Sequence, residues 1–167
     1  LDGSYDKGLF VDFFSVMKYR MPDAFIGVDV MVGCRGETPE CFTECYDFLE
    51  DVDVTQLHVF PYSERPGTAA LRIPYIVNDA DKKQRSKQLL ELSEKKRIEF
   101  YERYIGTERE VLFEKAVRGK SMHGFTDNYI RVELSPREAC DEYDNKLIRV
   151  RLGGFNHDHS ALKAEII

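Results

Sequence analysis

No run of apolar residues in this 167-residue sequence is long enough to span a bilayer. The leading stretch, LDGSYDKGLF, lacks the charged start and apolar centre of a signal peptide. Cysteines are few: Cys34, Cys41, Cys45 and Cys140 are the four, and neither a paired CxxC nor a Cys/His set of zinc type occurs. Together with the missing leader, they are expected to be reduced thiols of a cytoplasmic protein. Positive charge is also short. A net charge of −6 argues against a dedicated nucleic-acid binder, although a basic face can sit on an acidic whole. There is no internal repeat and no low-complexity tract. What is present is an ordinary globular composition, 43% hydrophobic and 32% charged, in a chain long enough for one domain or two small ones.

Apolar residues at helical spacing predict a helix over 6–20, stopped at Met21-Pro22-Asp23. AFIGVDVMVG (24–33) reads as a strand buried on both faces apart from Asp29. Thr38 as N-cap and Pro39 at the first helical position open a helix over 39–52. TQLHVFPY (55–62) is the next strand, so 24–62 is a βαβ unit with parallel strands. A long charged helix is predicted over 79–104. Beyond Ile105-Gly106 the pattern changes to five short alternating strands at 109–117, 121–127, 129–134, 146–154 and 162–167, which suggest a small antiparallel barrel. The fold class is therefore α/β plus all-β, with domains at 1–104 and 105–167. Two parallel strands cannot close a barrel, which implies that the chain is a piece of a larger α/β protein with an exposed sheet edge open to self-association.

Three stretches could carry chemistry. GCRGET (33–38) joins the carboxyl end of a strand to a helix N-terminus, where Gly33 and Gly36 let backbone N–H groups approach a ligand and Glu37 can take a cation or hydroxyl. A tight turn with capping groups is the other reading. HVFPYSERPGT (58–68) lies at the end of the neighbouring strand; Tyr62 can stack on a base, and Ser63 and Arg65 accompany it, unless the stretch is only a rigid surface loop. On the barrel, Phe125 and Tyr129 with Lys120, Arg131, Arg149 and Arg151 form an aromatic and basic set suited to single-stranded RNA, with core aromatics and solvated charges as the alternative. Cys45 is assigned to the apolar face of its helix and His58 to the core. His123, His157 and His159 are assigned to turns, with no metal.

Taken together, DVMVGCRGET, LHVFPYSERPGTAAL, RSKQLLELSEKK and GFTDNYIRVEL resemble, in order and spacing, the radical-SAM tRNA methylthiotransferases, most closely the threonylcarbamoyladenosine branch. The resemblance implies that residues 1–104 are the last part of a radical-SAM barrel and 105–167 a TRAM domain, a small OB-like barrel. It implies a parent enzyme that uses S-adenosylmethionine and two [4Fe–4S] clusters to methylthiolate a modified adenosine beside the anticodon, with the tRNA anticodon stem-loop as partner. Gly33, Gly36 and Glu37 would then lie on the S-adenosylmethionine side. Tyr62, Ser63 and Arg65 would line the open face where tRNA enters. Cys34 and Arg35 replace the Phe and Pro of the usual family motif. The family's CxxxCxxC is absent, so no catalytic residue is assigned, no cofactor is expected bound, and the chain alone is expected to be inactive. The alternatives are a non-enzymatic RNA-binding or ribosome-associated module, a methylthiotransferase acting on a ribosomal protein, and another radical-SAM enzyme sharing this half.

Overall fold

The computed structural model describes residues 7–167. The expected helix start at Asp6 and most of the leading stretch examined for a signal peptide lie outside them. The chain divides into two compact units, one ending at Arg97 and one spanning Ile98–Ile167.

The first unit is built from α1 (Lys7–Arg20), β1 (Gly27–Val32), α2 (Pro39–Asp51), β2 (Gln56–Pro61) and most of α3 (Asp79–Glu102). β1 and β2 pair in parallel, with Asp29 opposite His58 and Met31 opposite Phe60. Thr38 caps α2 through its side chain, which accepts from the Cys41 N–H at 3.3 Å, and Pro39 occupies the first turn. Val30, Val32, Leu57, Leu49, Leu89 and Leu92 are among the side chains of the core between sheet and helices.

The strands are not buried on both faces. Alternation puts Val30, Val32 and Leu57 inside, whereas Asp29, Met31, His58 and Phe60 are exposed, so His58 is no core histidine. Cys45 is likewise exposed, because Phe42, Tyr46 and Leu49 carry the inward face of α2. In α1, Phe10, Phe14 and Met17 pack inward while Leu9, Phe13 and Val16 remain exposed, so the helix is apolar on two sides.

α3 supplies polar groups from its buried stripe. Ser93 Oγ accepts from the Leu57 N–H at 2.8 Å and donates to the Leu57 carbonyl at 3.1 Å, closing the outer side of β2 at that residue. Lys96, 8% exposed, donates to the Glu50 and Val52 carbonyls at 2.9 and 2.8 Å and so satisfies the C-terminal end of α2. Ser93→Ala leaves both Leu57 groups buried and unpaired, an expected cost of about 1–3 kcal/mol. Hydrogen exchange checks this: the Leu57 amide should lose its protection while the second unit is unchanged.

The second unit is a closed barrel of β3 (Glu108–Phe113), β4 (Met122–Thr126), β5 (Arg131–Leu134), β6 (Leu147–Phe155) and β7 (Leu162–Ile166), in the order β3-β4-β5-β7-β6. It is mixed, not wholly antiparallel: β5 and β7 run parallel, with Val132 opposite Leu162, and the other pairings are antiparallel. The predicted strand over 129–134 starts later because 127–130 is spent on a turn. His123 belongs to β4 and not to a turn. Val111, Phe113, Met122, Val132, Val150 and Leu162 fill the interior, each fully buried. Closure turns the alternate side chains of each strand outward, so the strand exteriors and the loops form the surface of this unit.

Candidate ligand end of the sheet and nucleic-acid interface of the barrel

The GCRGET turn is held by its own residues. Gly33 and Gly36 both have positive φ, 77° and 85°, which glycine adopts without strain. The Gly33 N–H donates to Glu37 Oε2 at 2.9 Å, and the Gly36 N–H donates to the Tyr75 carbonyl at 3.0 Å. Glu37 Oε1 accepts from Arg85 at 2.6 Å, and the same guanidinium nitrogen reaches the Glu37 carbonyl at 2.9 Å. Arg85 is 6% exposed, and its guanidinium lies 5.2 Å from the centre of the Phe42 ring. The aliphatic stem of Lys82 packs over the Gly33 Cα, where any Cβ would collide with it.

These contacts bear on the S-adenosylmethionine that the family resemblance implies. Both glycine N–H groups are bonded within the protein, and each carboxylate oxygen of Glu37 already accepts one internal hydrogen bond while retaining a further lone pair. Among the described residues no three His, Cys, Asp or Glu side chains come together as metal ligands.

Arg35 ties the turn to the segment after β2. Its Nε donates to Glu64 at 2.7 Å, and another guanidinium nitrogen donates to the Leu71 and Ile73 carbonyls at 3.0 and 3.1 Å. The hydrogen bond from Arg35 holds the Glu64 carboxyl below its ordinary range. Ser63 and Arg65 are exposed beside it. Tyr62 is half-buried: the Lys82 ammonium lies 5.9 Å from its ring centre, and its hydroxyl is buried without a hydrogen-bond partner among the described residues.

Burial, with the Glu37 carboxylate second, pushes the Cys34 thiol above its ordinary value against a smaller opposing effect of Lys82. A raised pKa means less thiolate at a given pH and slower alkylation. Iodoacetamide near neutral pH should therefore modify the exposed Cys41 and Cys45 before Cys34. Peptide mass spectrometry after short exposure checks the order, and equal labelling of Cys34 and Cys41 contradicts it.

The barrel carries the second candidate site. Its outward residues form a row across four strands: Leu147 on β6 faces Leu112 on β3, Leu112 faces Phe125 on β4, and Phe125 faces Arg131 on β5. Leu147 and Leu112 are 63% and 51% exposed. Tyr129 stacks on Phe125 with ring centres 5.0 Å apart and planes at 27°. Leu112, Phe125 and Leu147 of this row, together with Thr107, Glu108, Arg109, Glu110 and Arg149, border an open groove of about 650 Å³.

Tyr129 sits at φ 66°, a left-handed conformation that is uncommon for a bulky residue and costs about 1 kcal/mol. The turn enforces it. Tyr129 N–H donates to the Thr126 carbonyl, Ile130 N–H donates to Thr126 Oγ1, and Thr126 N–H donates to the Ile130 carbonyl. Thr126 Oγ1 in turn donates to the buried Asn128 side chain at 2.7 Å. Arg131 is positioned from its backbone, whose N–H donates to the Tyr101 hydroxyl at 3.0 Å.

Charge around the groove is largely paired. Arg149 and Arg151 both reach Glu108, at 3.3 and 3.1 Å, and Arg109 reaches Asp127 at 3.1 Å. The hydrogen bonds from Arg151 and then Arg149 lower the pKa of the Glu108 carboxyl from its ordinary value. Lys120 is exposed in the β3–β4 loop. Of the residues singled out in the sequence, the fold brings Phe125, Tyr129, Arg131 and Arg149 to one face. Sequence reasoning missed Leu112, Leu147, Arg109 and Glu108. The i, i+2 outward alternation of Glu108, Glu110 and Leu112 was the signal for two of them.

No family model matches the chain. The threonylcarbamoyladenosine tRNA methylthiotransferase MtaB of Bacillus subtilis is 32% identical over 152 residues, 89% of this chain and 33% of the relative. MtaB of Aquifex aeolicus is 35% identical over 150 residues, 90% of this chain and 34% of the relative. The tRNA-2-methylthio-N(6)-dimethylallyladenosine synthase of Aliarcobacter butzleri is 31% identical over 164 residues, 98% of this chain and 36% of the relative. The chain spans about a third of the length of these relatives. By homology along about nine-tenths of its own length, the chain belongs with the tRNA methylthiotransferases.

Proposed function

We propose that this chain is the tRNA-engaging end of a radical-SAM methylthiotransferase, and that its barrel, a TRAM domain, grips the anticodon stem-loop. The observation that carries this reading is the homology to enzymes named for tRNA methylthiolation, which extends from the parallel sheet through the barrel. The groove adds support: an aromatic pair with arginines on either side lies on the outer surface of a five-stranded barrel.

In this reading the chain performs no chemical step. When bound, the S-adenosylmethionine and two [4Fe–4S] clusters of the parent would supply the radical and sulfur-transfer chemistry. The committed hydrogen bonds of Gly33, Gly36 and Glu37 give this turn the role of shaping the ligand end of the sheet. Arg35 fixes the segment that follows Tyr62, leaving Ser63 and Arg65 to meet RNA.

The test is fluorescence anisotropy of a labelled anticodon stem-loop titrated with the full chain at low and moderate salt. Binding that Tyr129→Ala and Arg131→Ala both weaken is expected. Absence of binding at low salt would contradict the assignment of a tRNA grip to this barrel.

A further inference from the structure

We propose that the barrel holds RNA chiefly by stacking unpaired bases on the Phe125–Tyr129 pair, so that its ligand is a looped or single-stranded segment and not a duplex stem. The inference rests on the reading that the barrel engages RNA and names the part of the RNA it takes.

Three observations converge on it. The first is presentation: Tyr129 is 61% exposed and lies nearly parallel to Phe125, so the pair offers an aromatic face to solvent. The second is the backbone. The Thr126–Ile130 turn holds a bulky residue in a left-handed conformation, and strain of this kind persists where neighbouring bonds over-determine it. Glycine would suit that φ better, so the tyrosine is there for its ring.

The third observation is electrostatic. Arg149 and Arg151 share Glu108, and Arg109 is paired with Asp127. Cations still bracket the rings, with Arg131 in line on β5 and Arg149 at the groove, so phosphates on either side of a stacked base meet complementary charge. A phosphate contact to Arg149 must, however, compete with the Glu108 carboxylate already in place, which reduces the net gain from charge there. A duplex hides its base faces and offers mainly phosphates. A loop offers base faces, and each stacked base contributes enough to change affinity about tenfold. The apolar floor of Leu112 and Leu147 suits a base or ribose edge in the same way.

The experiment titrates the full chain into a labelled single-stranded RNA and into a blunt duplex of the same sequence, across a salt series. Single-stranded RNA should bind about tenfold tighter than the duplex, with a shallow salt dependence. Tyr129→Gly, which fits the turn, should keep the thermal transition of the barrel and lose about tenfold in single-strand affinity, whereas Tyr129→Trp should keep it. Glu108→Gln should steepen the salt dependence by freeing two arginines. Equal or tighter duplex binding with a steep salt slope, unaffected by Tyr129→Gly, overturns the stacking proposal while leaving the barrel an RNA binder. No binding of either RNA, including the case in which the face takes a protein instead, overturns both.

Discussion

Replacing Arg85 by methionine is expected to destabilise the first unit by about 3–5 kcal/mol. The guanidinium is 6% exposed, and one of its nitrogens bonds both Glu37 Oε1 and the Glu37 carbonyl. Methionine preserves much of the packing over Phe42 but leaves a half-buried carboxylate facing a chain with no donor. That cost exceeds anything the two charges would contribute on an open surface, where a pair is worth about 1 kcal/mol at most. Glu37→Gln should recover part of the loss in the double variant, because the neutral amide can still accept from the Gly33 N–H. A double-mutant cycle by urea unfolding, with amide exchange at Gly33 as a local probe, measures the coupling. Additive losses at the two positions would contradict a direct pair.

Gly124→Ala is expected to cost the barrel about 3 kcal/mol or more. A Cβ there would lie 2.5 Å from the Leu112 carbonyl oxygen, 2.7 Å from Val111 Cγ1 and 2.9 Å from the Phe113 Cα. Two of these neighbours are backbone atoms of β3, so β4 must move away from its partner instead of a side chain turning aside. Phe125 follows Gly124, and displacement of β4 would disturb the stacking face as well. Gly154→Ala is the control: nothing lies within 4 Å of its added Cβ, and the change should stay within about 0.5 kcal/mol. Thermal unfolding followed in the second unit separates the two substitutions, and equal effects would contradict the packing argument.

Local patterns were legible in the sequence. Thr38-Pro39 announced α2, alternation announced the barrel strands, and the strand-helix-strand spacing announced parallel pairing, all within about one turn or strand of chain. What the pattern did not reveal depends on partners distant in sequence. Glu37 and Arg85 are 48 residues apart, and Ser93 and Leu57 are 36 apart. A signal did exist: Arg85, Leu89, Leu92, Ser93, Lys96 and Phe100 share one buried stripe of α3, so polar residues in that phase must each find an internal partner. Parallel pairing of β5 with β7 is non-local in the same way, since strand alternation does not encode direction. The one-sidedness of β1 was present in Asp29, whose carboxylate marks the exposed face that it shares with Met31. The aromatic-basic composition of the barrel face was readable, but the carboxylates that pair its arginines were not, because Glu108 meets Arg149 and Arg151 only through the β3–β6 register.

The measurement that bears most directly on the account is amide chemical-shift mapping of the isotopically labelled chain as an anticodon stem-loop is added. Perturbations centred on Leu112, Phe125, Tyr129, Arg131 and Leu147 are predicted, and they should disappear in Tyr129→Gly. Shifts confined to other residues, or a spectrum unchanged by the RNA, would contradict the assignment of this barrel face as the tRNA grip.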